Sequence, residues 1–277
     1  MNSCTCSKAS SDESLKAEIL KLKKEKNAVV LAHYYVDGAL QDIADYVGDS
    51  LALAQKAAES CGDARIVVMC GVNFMGETVK VLCPDKKVLV PDNTAGCSLA
   101  DSCPAEDFEK FVKEHPDHTV ITYVNTSVEV KALSDVLVTS GNARKIVDSF
   151  PADAKLIFGP DRNLGSYINS VSGRDMLLWD GACHVHERFS AEKIAELKKE
   201  HPGAPVLVHP ECKRPVVLMA DKVGSTAVLL KYALESDADE FIVATESGIL
   251  HQMCKGAPHK KFIPVPPADS TCGCNNC

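Results

Sequence analysis

Ala44-Asp45-Tyr46-Val47-Gly48-Asp49-Ser50 recurs along the chain as Ser134-Asp135-Val136-Leu137-Val138-Thr139-Ser140 and as Ala220-Asp221-Lys222-Val223-Gly224-Ser225-Thr226. Each copy sets an aspartate before a short run and closes on a pair of hydroxyl or acidic side chains. The aspartates recur at steps of about 90 residues, close to the smallest length that builds its own hydrophobic core. Polar and apolar positions both match, which separates a repeat from the α/β alternation common to many folds.

A continuous apolar run precedes each copy, over residues 28–33, 119–123 and 205–208. Such runs predict strands buried on both faces and therefore a parallel sheet. Helical stretches follow at 51–60, 142–149 and 227–236, then strands at 65–69, 155–158 and 240–243. A further helix and a last strand complete each unit. The predicted fold class is α/β: three homologous αβα sandwich domains with parallel sheets around a pseudo-threefold axis. The expected boundaries are 1–104, including a charged amphipathic helix over 15–25, then 105–190 and 191–277.

The last strand of each unit runs into cysteine. Val88-Leu89-Val90 leads to Gly96-Cys97-Ser98, and Met176-Leu177-Leu178 leads to Trp179-Asp180-Gly181-Ala182-Cys183-His184-Val185-His186-Glu187. Phe262-Ile263-Pro264-Val265 leads to Cys272, Cys274 and Cys277. One cysteine per unit is no zinc-ribbon pattern, which needs paired Cys-x-x-Cys knuckles. Three cysteines on one axis fit an iron–sulfur cluster with one iron left open, since a closed cluster takes four. The plainer reading makes Cys97 and Cys183 ordinary loop thiols. For Cys61, Cys70, Cys83, Cys212 and Cys254, beside helices and strands, packing is the expectation.

Parallel α/β sheets bind ligands beyond the carboxyl ends of their strands. The first strands of the three units deliver His33-Tyr34-Tyr35, Tyr123-Val124-Asn125 and His209-Pro210-Glu211. On an extended strand end, His209 and Glu211 face the same way, which suits acid–base work. Asp49-Ser50, Thr139-Ser140 and Ser225-Thr226 stand where helices start. They are good caps on any account, and three helix starts around one axis would also hold a multiply charged anion. Trp179 is expected to pack rather than to stack on a ligand, and the lysine runs near residues 21–26 and 198–199 are solvated helix faces.

With 45% hydrophobic and 25% charged residues, the composition is that of an ordinary globular protein. A net charge of −8 argues against general nucleic-acid binding, which needs a basic face. Residues 1–12 have no apolar core of a signal peptide, and no run is apolar enough to span a bilayer, so a cytoplasmic location is expected. Thirteen cysteines there point to thiols and metal ligands rather than to a disulfide framework.

The chain resembles the quinolinate synthase family, iron–sulfur enzymes (type A) of NAD biosynthesis. The resemblance runs from about Val29 to Cys277 and rests on His33-Tyr34-Tyr35, Gln41-Asp42-Ile43-Ala44-Asp45 and Val47-Gly48-Asp49-Ser50. Further along it rests on Gly96-Cys97-Ser98-Leu99-Ala100-Asp101, Tyr123-Val124-Asn125-Thr126 and Cys183 with His186-Glu187-Arg188-Phe189. His209-Pro210-Glu211-Cys212, Gly224-Ser225-Thr226 and Thr245-Glu246 complete it.

The resemblance implies a 4Fe-4S cluster on the pseudo-threefold axis, held by Cys97, Cys183 and Cys277, with one open iron. Cys274 is the alternative third ligand, because the Pro and Met that usually follow this ligand in the family are absent after Cys277. The implied reaction is a transferase-type condensation of iminoaspartate with dihydroxyacetone phosphate to quinolinate, with loss of phosphate and two waters. It also implies a functional link to L-aspartate oxidase or aspartate dehydrogenase. Glu211, His209 and Tyr35 are the implied acid–base residues. His33, Asp49, Ser50, Tyr123, Asn125, Ser140, His186, Ser225 and Thr226 are the implied substrate contacts. A redox or iron sensor without catalysis is the competing reading, carried by the tail Cys272-Gly273-Cys274-Asn275-Asn276-Cys277. A zinc hydrolase is disfavoured by the lack of a paired histidine motif.

Overall fold

The computed structural model describes residues 9–60 and 62–268. Cys61 and the tail cysteines Cys272, Cys274 and Cys277 lie outside the described residues.

Three four-stranded sheets follow one another along the chain. The first holds β1 (Ala28–His33), β2 (Tyr46–Gly48), β3 (Ile66–Cys70) and β4 (Lys87–Leu89) in the order β2-β1-β3-β4. The second holds β5 (Thr119–Tyr123), β6 (Val136–Val138), β7 (Leu156–Gly159) and β8 (Leu177–Leu178) in the order β6-β5-β7-β8. The third holds β9 (Val206–Val208), β10 (Lys222–Val223), β11 (Glu240–Ala244) and β12 (Lys261–Pro264) in the order β10-β9-β11-β12. Every strand pair is parallel. The predicted three αβα units are therefore present, with one topology repeated. In each, the chain leaves the first strand on one side and returns on the other. A parallel sheet opens its ligand crevice at that reversal.

The repeated aspartate has a structural purpose. Asp45, Asp135 and Asp221 each accept the backbone N–H of a first-strand residue, Val30, Val120 or Val206, at 2.8 Å. Their own N–H groups donate back to the carbonyls of the same three valines at 2.8, 3.0 and 2.9 Å. This two-way clasp starts the second strand in register with the first, and an apolar residue cannot supply the acceptor. The helix Ala9–Glu25 begins earlier than residue 15 and is pinned to the first unit by Lys23, which donates to Asp45 at 2.9 Å.

The cores do not divide as three separate units. One cluster joins Leu31, Met69 and Phe74 of the first unit to Ile121, Phe158 and Val185 of the second. The third unit buries the two faces of its sheet separately, around Val206 and Ile242 and around Leu207 and Phe241. Trp179 packs edge-on against Phe108 and Phe111 and donates its indole N–H to the Ser102 carbonyl at 2.9 Å, the packing role expected of it. No described helix is long and apolar enough to cross a membrane.

Candidate active site

The carboxyl ends of the three sheets turn toward one cavity of about 280 Å³. Its lining includes His33, Tyr35, Asp49, Ser50 and Cys97 from the first unit. Tyr123, Asn125, Ser140, Cys183 and His186 come from the second, and His209, Glu211 and Thr226 from the third. Ser225 is not part of the lining: its hydroxyl turns back to cap its own helix at Val228 N–H. A stretch of the first unit (Gly71, Val72, Phe74, Met75) supplies an apolar wall. Cys70, expected only to pack, also reaches the lining at the end of β3.

Glu211 is the hub. Its Oε1 accepts the Tyr123 hydroxyl at 2.5 Å, and its Oε2 lies 3.1 Å from His186 Nδ1. The pairing of His209 with Glu211 does not arise from strand alternation, because β9 stops at Val208. A turn brings them together instead: Glu211 N–H donates to His209 Nδ1 at 3.3 Å, and Cys212 N–H donates to the His209 carbonyl at 3.0 Å. His209 Nε2 meets Ser140 Oγ at 3.2 Å, and its ring stacks on that of His186 with centroids 4.7 Å apart. His186 and His184 do not act as a pair, since they begin a short helix, His184–Glu187, and only His186 faces the cavity.

A second chain of hydroxyls meets this hub. Tyr35 Oη is 2.6 Å from Thr226 Oγ1 and 3.0 Å from Thr245 Oγ1, and Thr245 Oγ1 is 3.1 Å from His186 Nε2. Tyr35 and Glu211 are thus joined through Thr245 and His186. In the sequence Thr245 stands out only as part of the Thr245-Glu246 motif, with no role in the site. It follows β11, the strand beside the first strand of its sheet. The second strand of each crevice delivers a polar group at or just beyond its end: Cys70, Asp161 and Thr245.

Burial sets the charge states. It pushes His33 down to about 4 and His209 to about 3, with Glu211 drawing each back only in part. Both rings are neutral near pH 7. For Glu211, burial alone would raise the carboxyl. The neighbouring histidines and the hydrogen bonds from His186 and Tyr123 act against it and hold the carboxyl below its usual range. Burial drives Tyr35 and Tyr123 well above the usual phenol range, so both remain proton donors. Asn125 Oδ1, also at the cavity, is buried without a hydrogen-bond partner. An acceptor in that condition is satisfied by a ligand's donor.

The soft donors converge here as well. Cys183 Sγ, His186 and Glu211 present ligand atoms within 4.8 Å of one another, and Cys183 Sγ lies 3.2 Å from His186 Nδ1. Cys97 is a buried thiol on the same cavity, raised to about 11 by burial. A thiol so disfavoured as an anion becomes a thiolate when a metal supplies the charge. The donor set therefore fits a thiophilic metal centre.

The family model described as "Quinolinate synthetase A protein" matches residues 17–277. The chain belongs to that family. Quinolinate synthase from Synechococcus sp. is 55% identical over 263 residues, covering 95% of this chain and 82% of the relative. The quinolinate synthase of Thermosynechococcus vestitus is 56% identical over the same length and coverage. That of Microcystis aeruginosa is 55% identical over 270 residues, covering 98% of this chain and 84% of its own. Membership of the quinolinate synthetase A family agrees with the resemblance carried by the motifs, and the cavity is where those motifs meet.

Proposed function

We propose that this protein is a quinolinate synthase of NAD biosynthesis. It condenses iminoaspartate with dihydroxyacetone phosphate and releases quinolinate, phosphate and two waters. The observation that carries the reading is the single cavity at which three units bring together an ionised carboxylate, the neutral rings of His33 and His209, neutral phenols and three cysteines. A redox sensor needs the cysteines but has no use for the rest.

Cys97 and Cys183 would hold a 4Fe-4S cluster together with Cys277, which lies outside the described residues. When bound, such a cluster with one open iron supplies a Lewis acid for hydroxyl or carboxylate oxygens and so assists loss of water. The protein groups carry the proton work. Glu211, ionised and oriented by Tyr123 and His186, accepts the carbon-bound proton in enolisation of the phosphorylated ketose. His209 offers Nε2 beside Ser140, and Tyr35 is the acid that returns a proton to a leaving hydroxyl. His33 and Asn125 contact substrate polar atoms. Ser50, Ser140 and Thr226 face the cavity and hold its anionic groups. Asp49 caps the helix Ser50–Ser60 at Ala52 N–H (2.9 Å), and Ser225 caps the helix Thr226–Glu235. Each cap takes up one N–H of a helix whose first residue, Ser50 or Thr226, lines the cavity.

The division at 104 and 190 belongs to the same proposal, supported by the absence of any strand pairing across either point among the described residues. A cytoplasmic location and a supply of iminoaspartate by aspartate oxidase or aspartate dehydrogenase fit an unstable imine consumed where it is made. The test is anaerobic purification, reconstitution with iron and sulfide, and measurement of quinolinate from dihydroxyacetone phosphate and freshly generated iminoaspartate. Quinolinate formation that depends on both substrates is expected. A brown, cluster-loaded protein that forms none overturns the reading.

A further inference from the structure

The helix Arg162–Ser172 begins against the loop that carries Cys183. Asp161, wholly buried, accepts Leu164 N–H with one carboxylate oxygen and Cys183 N–H with the other, each at 2.8 Å. Arg162 N–H donates to the Gly181 carbonyl at 2.8 Å, two residues before the cysteine, and its guanidinium reaches Asp180 at 2.8 Å. Asn163 Nδ2 donates to Glu187 Oε1 at 2.6 Å and to the backbone carbonyl of Glu211 at 3.1 Å. Three consecutive residues therefore grip the Cys183 loop before, at and after the cysteine, and the third also reaches the Glu211 turn of the next unit.

The first unit repeats the backbone part of this arrangement. The helix Asn73–Leu82 starts with Asn73 N–H donating to the Ala95 carbonyl at 3.0 Å, again two residues before a cysteine, Cys97. Asn73 Nδ2 holds the Asn93 carbonyl of the same loop at 2.9 Å. The carboxylate on the cysteine's own N–H belongs to the second unit: the first has Val72 at the capping position and no side-chain cap.

We propose that Asp161, with Asn163, is a positioning residue that sets the Cys183 loop for metal binding and fixes it relative to Glu211. The proposal rests on Cys183 being a cluster ligand. Asp161 touches neither substrate nor cluster in this role. It acts by holding the backbone of the ligand, and loss of an outer-shell partner of this kind typically weakens metal retention by about 10–100-fold.

The test measures loss of cluster iron to an excess of chelator, followed anaerobically by visible absorbance, in reconstituted full-length protein. Asp161→Asn keeps the size but can satisfy only one of the two N–H groups through its single acceptor oxygen. Iron release at least about 10-fold faster than in the parent is expected. Asp135→Asn is the matched control. It also removes a carboxylate acceptor from a backbone N–H in the same unit, at Val120, and is expected to release iron at the parental rate. Equal release rates for Asp161→Asn and the parent, at whatever melting temperature, reduce Asp161 to a structural residue and overturn the proposal. If Asp161→Asn gives no folded protein, Asn163→Ala decides. It removes both donors while leaving the aspartate in place, faster release again supports the proposal, and parental release overturns it. A parent that takes up no cluster, or a Cys183→Ser variant that keeps one, overturns the functional reading and this inference with it.

Discussion

The Tyr123 hydroxyl donates to Glu211 Oε1 at 2.5 Å, joining the end of the first strand of the second unit to the turn after the first strand of the third. The bond aims one carboxylate oxygen while His186 aims the other. With the neighbouring histidines it works against burial to hold the carboxyl below its usual range, so the group is available to accept a proton without first losing one.

Tyr123→Phe keeps the ring and removes that donor. A hydrogen bond to a charged group is worth about 1.5–3 kcal/mol, so turnover should fall roughly 10–100-fold with the fold intact. Glu211→Gln removes the base itself, and its turnover should fall by roughly 10²–10⁴-fold with dihydroxyacetone phosphate still bound. Steady-state rates and ligand binding on cluster-loaded protein measure both. Turnover of Glu211→Gln within a few-fold of the parent removes Glu211 from the proton transfer and leaves His209 or Tyr35 to be tested.

Cys97→Ser and Cys183→Ser should lose the visible absorption of the cluster and all quinolinate formation. Cys83→Ser should keep both, since the Cys83 thiol donates to the Ala57 carbonyl at 3.1 Å inside the first-unit core. Iron and sulfide analysis of the three proteins checks this, and a normal cluster in Cys183→Ser refutes the ligand assignment. Cys277→Ser compared with Cys274→Ser identifies the third ligand.

Air should abolish activity, because a cluster held by three cysteines exposes one iron to oxidant. Iron, sulfide and reductant should restore at least part of it. Full turnover by metal-free protein contradicts the proposed centre.

The cluster-free protein should lose stability as pH falls from about 6.5 to about 4. His33 and His209 are held at about 4 and about 3, below the ordinary 6.5, so over this window the unfolded chain binds two protons that the folded one refuses. Stability then falls with pH by about 1.4 kcal/mol per pH unit for each histidine. Asp161, pushed up to about 7 by burial and by Glu211, acts in the opposite sense, because the folded state carries its proton. Glu246, raised by burial, adds to that opposition toward pH 5, so the net slope is at most about one group's worth, about 1.4 kcal/mol per pH unit. Urea unfolding at pH 7, 6 and 5 measures it, and constant or rising stability toward pH 5 shows that the two rings are not held neutral.

The repeat, the strands and the class of fold were legible in the sequence, because what specifies them is local. Continuous apolar runs such as residues 119–123 specify strands covered on both faces, and Asp45, Asp135 and Asp221 mark the same clasp three times. The residues that reach the cavity were largely legible too, since parallel strands deliver their ends to one side. What they do to one another was not. Tyr123 and Glu211 stand 88 positions apart, and Tyr35 and Thr245 stand 210 apart. Only the packing of whole units decides such contacts. The same packing fuses the cores of the first two units, turns Ser225 back to its own helix, and separates His186 from His184. It also sets protonation: sequence supplies a histidine or a carboxyl, but desolvation and neighbouring charge exist only once three distant segments have closed around them.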